Sequence, residues 1–242
     1  MTEPIADVRA RRGGEEAHLR AARSMFERIA PTYDVLNRLL SMGIDRRWRM
    51  RAVAEVARAP DGPLLDLCAG TMDLTAMLAA ARPNDRVVAV DFAPAMLEAG
   101  RRKALRAEVV VADATALPYD DGTFVGVICG FGMRNLADPI AGAREVRRVL
   151  RPGGLFVTLE FFRPTRSTTR ALHRGYSRLV LPTLGGLLSG DRAAYDYLAR
   201  SMEGFFTRDE YEHALAAAGF AEVRGVDLTL GVASIVCARM QS

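Results

Sequence analysis

Three aspartates stand where three apolar segments of the chain end, and their positions suit one ligand. Asp66 lies at the end of the first segment, Asp91 closes the second, and Asp113 follows the third. A carboxylate at the first position favours an ammonium or sulfonium group and repels a pyrophosphate. Carboxylates at the other two can accept hydrogen bonds from ribose hydroxyls and an adenine amino group. Together they predict a site for an adenosine with a positively charged tail, unless each one caps a loop or a helix.

The turn after Asp66 is built from small residues, which lets the backbone approach a ligand closely. It contains one glycine, Gly70, whereas the dinucleotide-binding fingerprint requires three. This turn therefore disfavours NAD, and it places Gly70 among the predicted cofactor contacts.

The elements that must position these residues alternate along the chain. Continuous apolar character predicts strands at 63–68, 86–91, 108–112, 124–129 and 155–160, with two final strands near 221–228 and 233–239. Helical patterns cover 35–40, 46–58, 73–81, 94–105, 139–150 and 207–218. Strands without polar alternation, separated by helices, predict an α/β fold with a doubly wound, mostly parallel sheet. Such sheets bind ligands at the carboxyl ends of their strands, where the three aspartates fall.

The length of 242 residues suits a single domain over 1–242. Residues 1–14 are polar and Arg-rich, and we expect them to form a loose tail. Residues 161–206 interrupt the alternation with a helical insertion. Because this insertion follows the carboxyl end of a strand, it is predicted to be a lid over the ligand site.

The composition excludes several classes of protein. A net charge of +4 is too small to indicate a nucleic-acid partner, although 32 of the 33 basic residues are Arg and only Lys103 is Lys. The three cysteines and three histidines are scattered, which argues against a metal site or a disulfide framework. No apolar run is long enough to span a membrane, and the first residues lack a signal-peptide core. We therefore expect a cytoplasmic protein.

Several motifs carry a resemblance to a known family. They are Tyr33–Asn37 with Ser41 and Trp48–Arg49, then Gly130–Asn135, Arg148–Gly154 leading to Leu159–Phe161, and Tyr195–Leu198. With them the chain resembles the quinone C-methyltransferases, class I enzymes that use S-adenosylmethionine (SAM) to methylate demethylmenaquinone and related polyprenyl benzoquinols. The resemblance implies a seven-stranded Rossmann-like sheet with an antiparallel last strand, and a role in menaquinone or ubiquinone biosynthesis.

The resemblance also implies which residues contact the cofactor. Carried over position by position, the family's SAM contacts fall on Thr71, Asp91, Asp113, Ala114 and Gly130. Asp66 and Gly70, which the strand-end pattern indicates independently, complete the predicted cofactor site.

Three positions depart from the family pattern. Met72 stands where the family has Gly, Asp45 where it has His, and Phe162 where it has a small polar residue. A Met at position 72 would push into the cofactor site or shift the loop, particularly if the position needs a positive φ. Two alternatives to a quinone methyltransferase remain open. One is a natural-product methyltransferase with another aromatic acceptor; the other, which Met72 favours, is a non-catalytic assembly partner that no longer binds SAM.

Methylation of a quinol ring carbon requires the neighbouring hydroxyl to lose its proton. Arg134 and Asn135 are the candidates for stabilising the resulting phenolate, because a cation or an amide lowers the pKa of a phenol. The alternative for Arg134 is an ion pair with Asp138, four residues further on. Three aromatic residues either line a pocket for the ring or belong to the core: Trp48, Phe131 and Phe161.

The candidates for a general base are Asp45, Tyr195 and Tyr197. Each has a structural alternative. Asp45 would cap the helix that starts at residue 46, and the two tyrosines would pack the interior of the lid. The sequence does not decide between the two sets of roles.

The lid has a feature that suits a lipophilic quinol. Arg166, Arg170, Arg174 and Arg178 recur every four residues, and the apolar stretch 181–188 follows them. A basic helix face beside an apolar stretch predicts peripheral contact with an anionic membrane surface, at its inner face. The alternative is a solvated helix face, and the sequence leaves a homo-oligomer open.

Overall fold

The computed structural model describes residues 20, 22–165, 170, 197 and 200–241. The expected tail 1–14 and most of the expected lid 161–206 lie outside the described residues. Among the residues it does describe, no helix is both long enough and apolar enough to cross a membrane.

A seven-stranded sheet forms the centre of the molecule, in the order β3-β2-β1-β4-β5-β7-β6. Its strands are β1 (Leu64–Leu67), β2 (Val87–Asp91), β3 (Glu108–Val111), β4 (Phe124–Gly130), β5 (Leu150–Glu160), β6 (Phe220–Leu228) and β7 (Ala233–Met240). The first five strands pair in parallel, whereas β7 runs antiparallel to both β5 and β6. The predicted doubly wound sheet with an antiparallel last strand is confirmed.

Six α-helices accompany the strands in the described part of the chain, beside helical residues at 22–29 and 200–204. They are α1 (Tyr33–Leu40), α2 (Asp45–Val56), α3 (Asp73–Ala81), α4 (Pro94–Gly100), α5 (Pro139–Val149) and α6 (Arg208–Ala217). The helix predicted at 94–105 ends early, because Gly100 is a weak helix former and a 3-10 turn, Arg101–Lys103, replaces its last part. A Cβ at Gly100 would lie 2.4 Å from the backbone of Thr71, so this end of α4 packs directly against the β1–α3 loop.

Side-chain hydrogen bonds fix the starts of two helices. Thr207 and Glu210 form a reciprocal capping box at α6: Thr207 accepts from the Glu210 N–H at 3.2 Å and donates its own N–H to the Glu210 carboxylate at 2.8 Å. Asp138 caps α5 by accepting from the N–H groups of Ile140 and Ala141, both at 2.9 Å. Each such cap contributes about 1 kcal/mol to stability.

Alternate residues of the strands divide the core into two layers. Leu64 of β1 belongs to the cluster with α2 and α3, whereas its neighbour Leu65 belongs to the cluster with α5 and α6. Every residue of β1 and β2 is buried, as expected for parallel strands covered on both faces. The carboxyl ends of β1 to β5 therefore meet at one edge of the sheet.

Candidate active site

Asp66 is a fully buried carboxyl group near the end of β1. The hydroxyl of Thr75 donates a 2.6 Å hydrogen bond to its Oδ2. Its Oδ1 is buried and has no hydrogen-bond partner among the described residues. Burial raises the pKa of Asp66 to about 7, while the Thr75 bond and the charge of Arg49 oppose the rise. A cationic group at Oδ1 would satisfy this oxygen and favour the charged carboxylate.

Asp91 ends β2 and holds two loops together. Its Oδ2 accepts the N–H of Gly70 at 2.8 Å, and its Oδ1 accepts the N–H of Ala93 at 2.9 Å. Burial raises the pKa of Asp91 to about 6, and these backbone hydrogen bonds oppose the rise. Since each carboxylate oxygen has a second lone pair, Asp91 keeps the capacity to accept bonds from two hydroxyls.

Asp113, Ala114 and Gly130 lie at the ends of the neighbouring strands. The Oδ1 of Asp113 accepts the N–H and the hydroxyl of Thr115, at 2.8 and 2.9 Å, and Ala114 beside it is buried. Gly130 closes β4, where a Cβ would lie 2.3 Å from Cδ1 of Leu74. A side chain at this position would therefore have to displace the Leu74 side chain.

Met72 takes a left-handed conformation, with a φ of 63°, at the N-cap of α3. That conformation costs about 1–2 kcal/mol for a residue with a Cβ. The side chain is fully buried in an apolar cluster with Ala89, Leu97 and Ala104. The position thus has the positive φ under which a Met was expected to disturb the loop, and the Met side chain packs against β2 and α4 as part of the core.

Thr71 joins the β1–α3 loop to α1. Its hydroxyl donates a 2.5 Å hydrogen bond to Oδ1 of Asp34. Lys103 contacts the other oxygen of Asp34, and it also contacts Asp73 at 2.7 Å. The sole lysine of the chain thereby links α1, α3 and the 3-10 turn. The sequence prediction missed both Asp34 and Lys103; the signal for Asp34 was its place in the motif Tyr33–Asn37.

Arg134 follows β4 in a 3-10 turn and pairs with Glu160, the last residue of β5. Its Nη1 donates to Oε1 of Glu160 at 2.5 Å and to the carbonyl of Phe131 at 2.7 Å. The Arg134 side chain is 6% exposed and Glu160 is fully buried. Burial raises the pKa of Glu160, while the charge of Arg134 and hydrogen bonds from two backbone N–H groups oppose the rise.

The alternative ion pair between Arg134 and Asp138 is wrong, because the Asp138 carboxylate caps α5. Asn135 is buried beside Arg134, and its Nδ2 donates to the Phe131 carbonyl at 3.1 Å. Arg134 and Asn135 therefore converge on one backbone oxygen. Phe131 itself has a φ of 60°, so these two bonds hold a strained turn in place.

The three aromatic candidates contact one another in a buried cluster. The rings of Phe131 and Phe161 lie 4.6 Å apart, and Trp48 meets Phe161 edge-on at 6.0 Å. Arg49 stacks on Phe131 at 5.4 Å and Arg134 on Phe161 at 5.6 Å. Trp48 and Phe131 belong to the core layer of α2 and α3, with Phe161 packed against it.

Asp45 is the first residue of α2, whose N-cap is Ile44. The expectation that Asp45 caps this helix is wrong, since the structure shows no side-chain cap there. Its carboxylate instead accepts from the hydroxyl of Ser41 at 2.7 Å and from Nε of Arg49 at 3.2 Å. Asp45 therefore orients the arginine that stacks on Phe131.

Of the two tyrosine candidates, Tyr197 is described and Tyr195 is not. Burial raises the pKa of Tyr197, and the charge of Arg134 opposes the rise, which places the phenol within electrostatic reach of the guanidinium. Tyr195, Arg166, Arg174, Arg178 and the stretch 181–188 lie outside the described residues.

The strand ends thus carry two different groups of side chains. We call the ends of β1 to β3, with Asp66, Asp91 and Asp113, the cofactor edge. We call the ends of β4 and β5, with Arg134 and Glu160, the acceptor edge. The open buried oxygen of Asp66 fits the ammonium group of SAM, and the neighbouring carboxylates fit its ribose and adenine. The sheet and this edge define a class I SAM-dependent methyltransferase, whose cofactor is SAM.

The chain belongs to the ubiE/COQ5 methyltransferase family, whose model matches residues 14–239. The demethylmenaquinone methyltransferase of Thermus thermophilus is 48% identical over 215 residues, which cover 87% of this chain and 97% of that protein. The ubiquinone/menaquinone biosynthesis C-methyltransferase of Syntrophotalea carbinolica is 46% identical over 217 residues, covering 88% and 91%. The resemblance seen in the motifs is confirmed.

Solved structures share the fold at much lower identity. A SAM-dependent methyltransferase of Thermotoga maritima superposes with a TM-score of 0.63 at 18% identity, covering 91% of this chain and all of that one. The [4+2]-cyclase SpnF superposes with a TM-score of 0.61 at 17% identity, covering 83% and 82%. Because the same fold serves a cyclase, the fold alone does not determine the reaction, which depends on the side chains of the site.

Proposed function

We propose that this chain is a SAM-dependent C-methyltransferase acting on a polyprenylated quinol, either demethylmenaquinol or a related benzoquinol, in quinone biosynthesis. The names of the two relatives support this substrate class. The structural observation that carries the proposal is Arg134, a buried cation held at the acceptor edge beside the cofactor edge. A buried cation is suited to an acceptor that must become an oxyanion.

The residues proposed to hold SAM are those of the cofactor edge and its loops: Asp66, Gly70, Thr71, Asp91, Asp113, Ala114 and Gly130. When bound, SAM supplies a methyl group on a positively charged sulfur, open to attack by a carbon nucleophile. In our proposal Asp66 receives the cationic end and Asp91 the ribose. Gly70 would contribute its backbone, which Asp91 holds in place by accepting the Gly70 N–H.

The protein must then make a ring carbon of the acceptor nucleophilic. We propose that Arg134 does so by stabilising the phenolate form of the quinol, since a cation within about 4–6 Å lowers a phenol pKa by about 1–3 units. Asn135 donates to the Phe131 carbonyl, which suits a residue that holds the turn around Arg134. The partly buried ring of Phe161 would flank the acceptor and exclude water.

The structure favours different roles among the three base candidates. Asp45 is engaged with Arg49 and Ser41, so we propose a positioning role for it. The phenol of Tyr197 is protonated at neutral pH, and burial, which raises its pKa, further opposes ionisation; this suits a hydrogen-bond donor to the acceptor oxygen better than a base. Tyr195 stays a predicted base.

A polyprenyl tail implies contact with a membrane, and we propose that the segment carrying Arg166, Arg170, Arg174 and Arg178 makes it. Cosedimentation with vesicles rich in phosphatidylglycerol should be strong at low salt and weaker at high salt. Phosphatidylcholine vesicles are the control. Absence of binding to the anionic vesicles at low salt would end this part of the proposal.

The function is tested by turnover of the reduced, detergent-solubilised quinol with SAM. We expect one methyl group added to demethylmenaquinol, detected by mass spectrometry, and no reaction with a panel of soluble phenols. Calorimetric titration with S-adenosylhomocysteine is run in parallel. Cofactor binding without quinol turnover would favour another aromatic acceptor, and no binding at all would contradict both enzymatic functions.

A further inference from the structure

Glu160 is a fully buried carboxylate whose hydrogen bonds all lead to the turn that carries Arg134 or to the start of the next segment. Its Oε1 accepts from Nη1 of Arg134 at 2.5 Å and from the N–H of Phe161 at 2.8 Å. Its Oε2 accepts from the backbone N–H of Arg134 at 3.3 Å. One carboxylate therefore accepts hydrogen bonds from both the backbone and the side chain of Arg134.

The guanidinium of Arg134 is held on three sides but retains an unused donor. Nη1 is shared between Glu160 and the Phe131 carbonyl, and the ring of Phe161 covers the guanidinium face at 5.6 Å. Nε is buried and has no hydrogen-bond partner in the described part of the chain. A buried N–H without a partner is costly, which is expected where a ligand atom completes the bond.

A buried ion pair is weak evidence for stability, because removing two charges from water costs about as much as their attraction returns. The pair is better explained by what it does to the site. Glu160 fixes the direction of Arg134, and its negative charge offsets the positive charge that the acceptor experiences. Without Glu160, Arg134 would be a mobile and uncompensated cation.

We propose that Glu160 is a positioning residue for methyl transfer, which acts through Arg134 by aligning the free Nε–H with the acceptor oxygen. This inference rests on the proposed function, in which Arg134 stabilises the phenolate. It assigns to Glu160 no contact with the acceptor.

Glu160→Gln is the first test, because it keeps the size of the side chain and removes the charge. We expect kcat for the quinol to fall by about tenfold to hundredfold through loss of alignment, with little change in the KM for SAM. The limb of log kcat that rises with pH should move to lower pH by about one unit, because the uncompensated guanidinium lowers the phenol pKa further. A residue that only supports the fold would lower kcat without moving this limb.

Glu160→Asp provides a second variant that keeps the charge and shortens the reach. It should lower kcat while the limb stays close to its wild-type position. In an Arg134→Met background, Glu160→Gln should cost no further activity, since a residue that acts through Arg134 has nothing left to position. A further loss in that background would overturn the proposal.

The chain offers a matched control on α5. Glu145 is also a carboxylate that pairs with an arginine, Arg148 at 2.6 Å, and accepts a backbone N–H, that of Leu117 at 2.7 Å. Glu145→Gln should leave both kcat and the pH limb unchanged. Thermal melting checks that the two Gln variants have similar stability.

The outcomes separate this inference from the proposed function. If the wild-type protein does not methylate the quinol, the proposed function fails. If the wild type is active and Glu160→Gln behaves like Glu145→Gln, or moves the pH limb upward, the inference about Glu160 fails alone. If Glu160→Gln does not fold, retained binding of S-adenosylhomocysteine by Glu160→Asp keeps the kinetic test available.

Discussion

The cofactor edge and the acceptor edge treat buried charge in opposite ways. At the cofactor edge Asp66 is paired with a neutral hydroxyl, and both hydrogen bonds that Asp91 accepts from loop residues come from backbone N–H groups. Burial consequently raises their pKa values to about 7 and about 6. At the acceptor edge the charges of Arg134 and Glu160 face each other at 2.5 Å.

The difference matches the ligands that each edge is proposed to receive. A cationic cofactor supplies the positive charge that the aspartates of the cofactor edge lack as a partner, so binding completes an ion pair. A neutral quinol brings no charge, so the acceptor edge must be balanced before the substrate arrives. Its cation becomes useful only as negative charge develops on the acceptor oxygen.

The largest effect should come from Arg134→Met, which removes the proposed donor to the developing oxyanion. We expect kcat to fall by about 10²–10³-fold, the usual loss for an oxyanion donor. The affinity for S-adenosylhomocysteine should stay within about threefold of wild type, because the cofactor edge is intact. Steady-state kinetics and calorimetry on the same preparation check both values. A loss of cofactor affinity as large as the loss of kcat would show that the two edges do not act independently.

Asp66→Asn should produce the reciprocal result. Loss of the carboxylate removes a charge-assisted hydrogen bond to the ammonium group, worth about 1.5–3 kcal/mol, so affinity for S-adenosylhomocysteine should fall by about tenfold to hundredfold. At saturating SAM, kcat should change far less than in Arg134→Met. Glu145→Gln again serves as the control. Unchanged affinity in Asp66→Asn would show that Asp66 does not face the cofactor.

The cofactor edge was predictable from the sequence because parallel strands end at a common edge. Asp91 closes a continuous apolar run, Asp113 follows one, and Asp66 lies within one, one residue before β1 ends. This regularity requires no knowledge of the tertiary structure. The same holds for the order of elements and for the capping box of Thr207 and Glu210. Local patterns of this kind survive folding since every strand of the sheet obeys the same rule.

The acceptor edge was only half predictable, because its key contact joins residues 26 positions apart. Arg134 was recognised from its motif, but local spacing indicated Asp138, four residues further on, as its partner. In the structure Arg134 forms its ion pair with Glu160, a charged residue at the end of an apolar strand. The burial of Met72 in a core cluster was likewise out of reach, since φ and side-chain direction depend on the packed loop.

The raised pKa values of Asp66 and Asp91 at the cofactor edge predict how the stability of the protein depends on pH. Folded-state values of about 7 and about 6 exceed the ordinary value of 3.8, so the native state binds more protons between these limits. Stability of the unliganded protein should therefore fall as pH rises from about 4 to about 7. Thermal melting should show this slope, and Asp66→Asn should reduce it.

Cofactor affinity should depend on pH in the opposite sense. The ammonium group prefers the charged form of Asp66, so binding releases a proton, and affinity should rise by about tenfold between pH 6 and pH 8. Titrations with S-adenosylhomocysteine in buffers of different ionisation enthalpy measure the released proton. Persistence of the full pH dependence in Asp66→Asn would assign the proton to another group.

Met72→Gly should lower stability and leave cofactor binding almost unchanged. The substitution relieves a left-handed backbone but empties part of the cluster with Ala89 and Leu97, and the lost packing of about 2–5 kcal/mol exceeds the relief of about 1–2 kcal/mol. The melting temperature should fall, while affinity for S-adenosylhomocysteine stays within about threefold of wild type. A large gain in affinity would mean that the Met72 side chain obstructs the cofactor edge in solution and is not confined to the core.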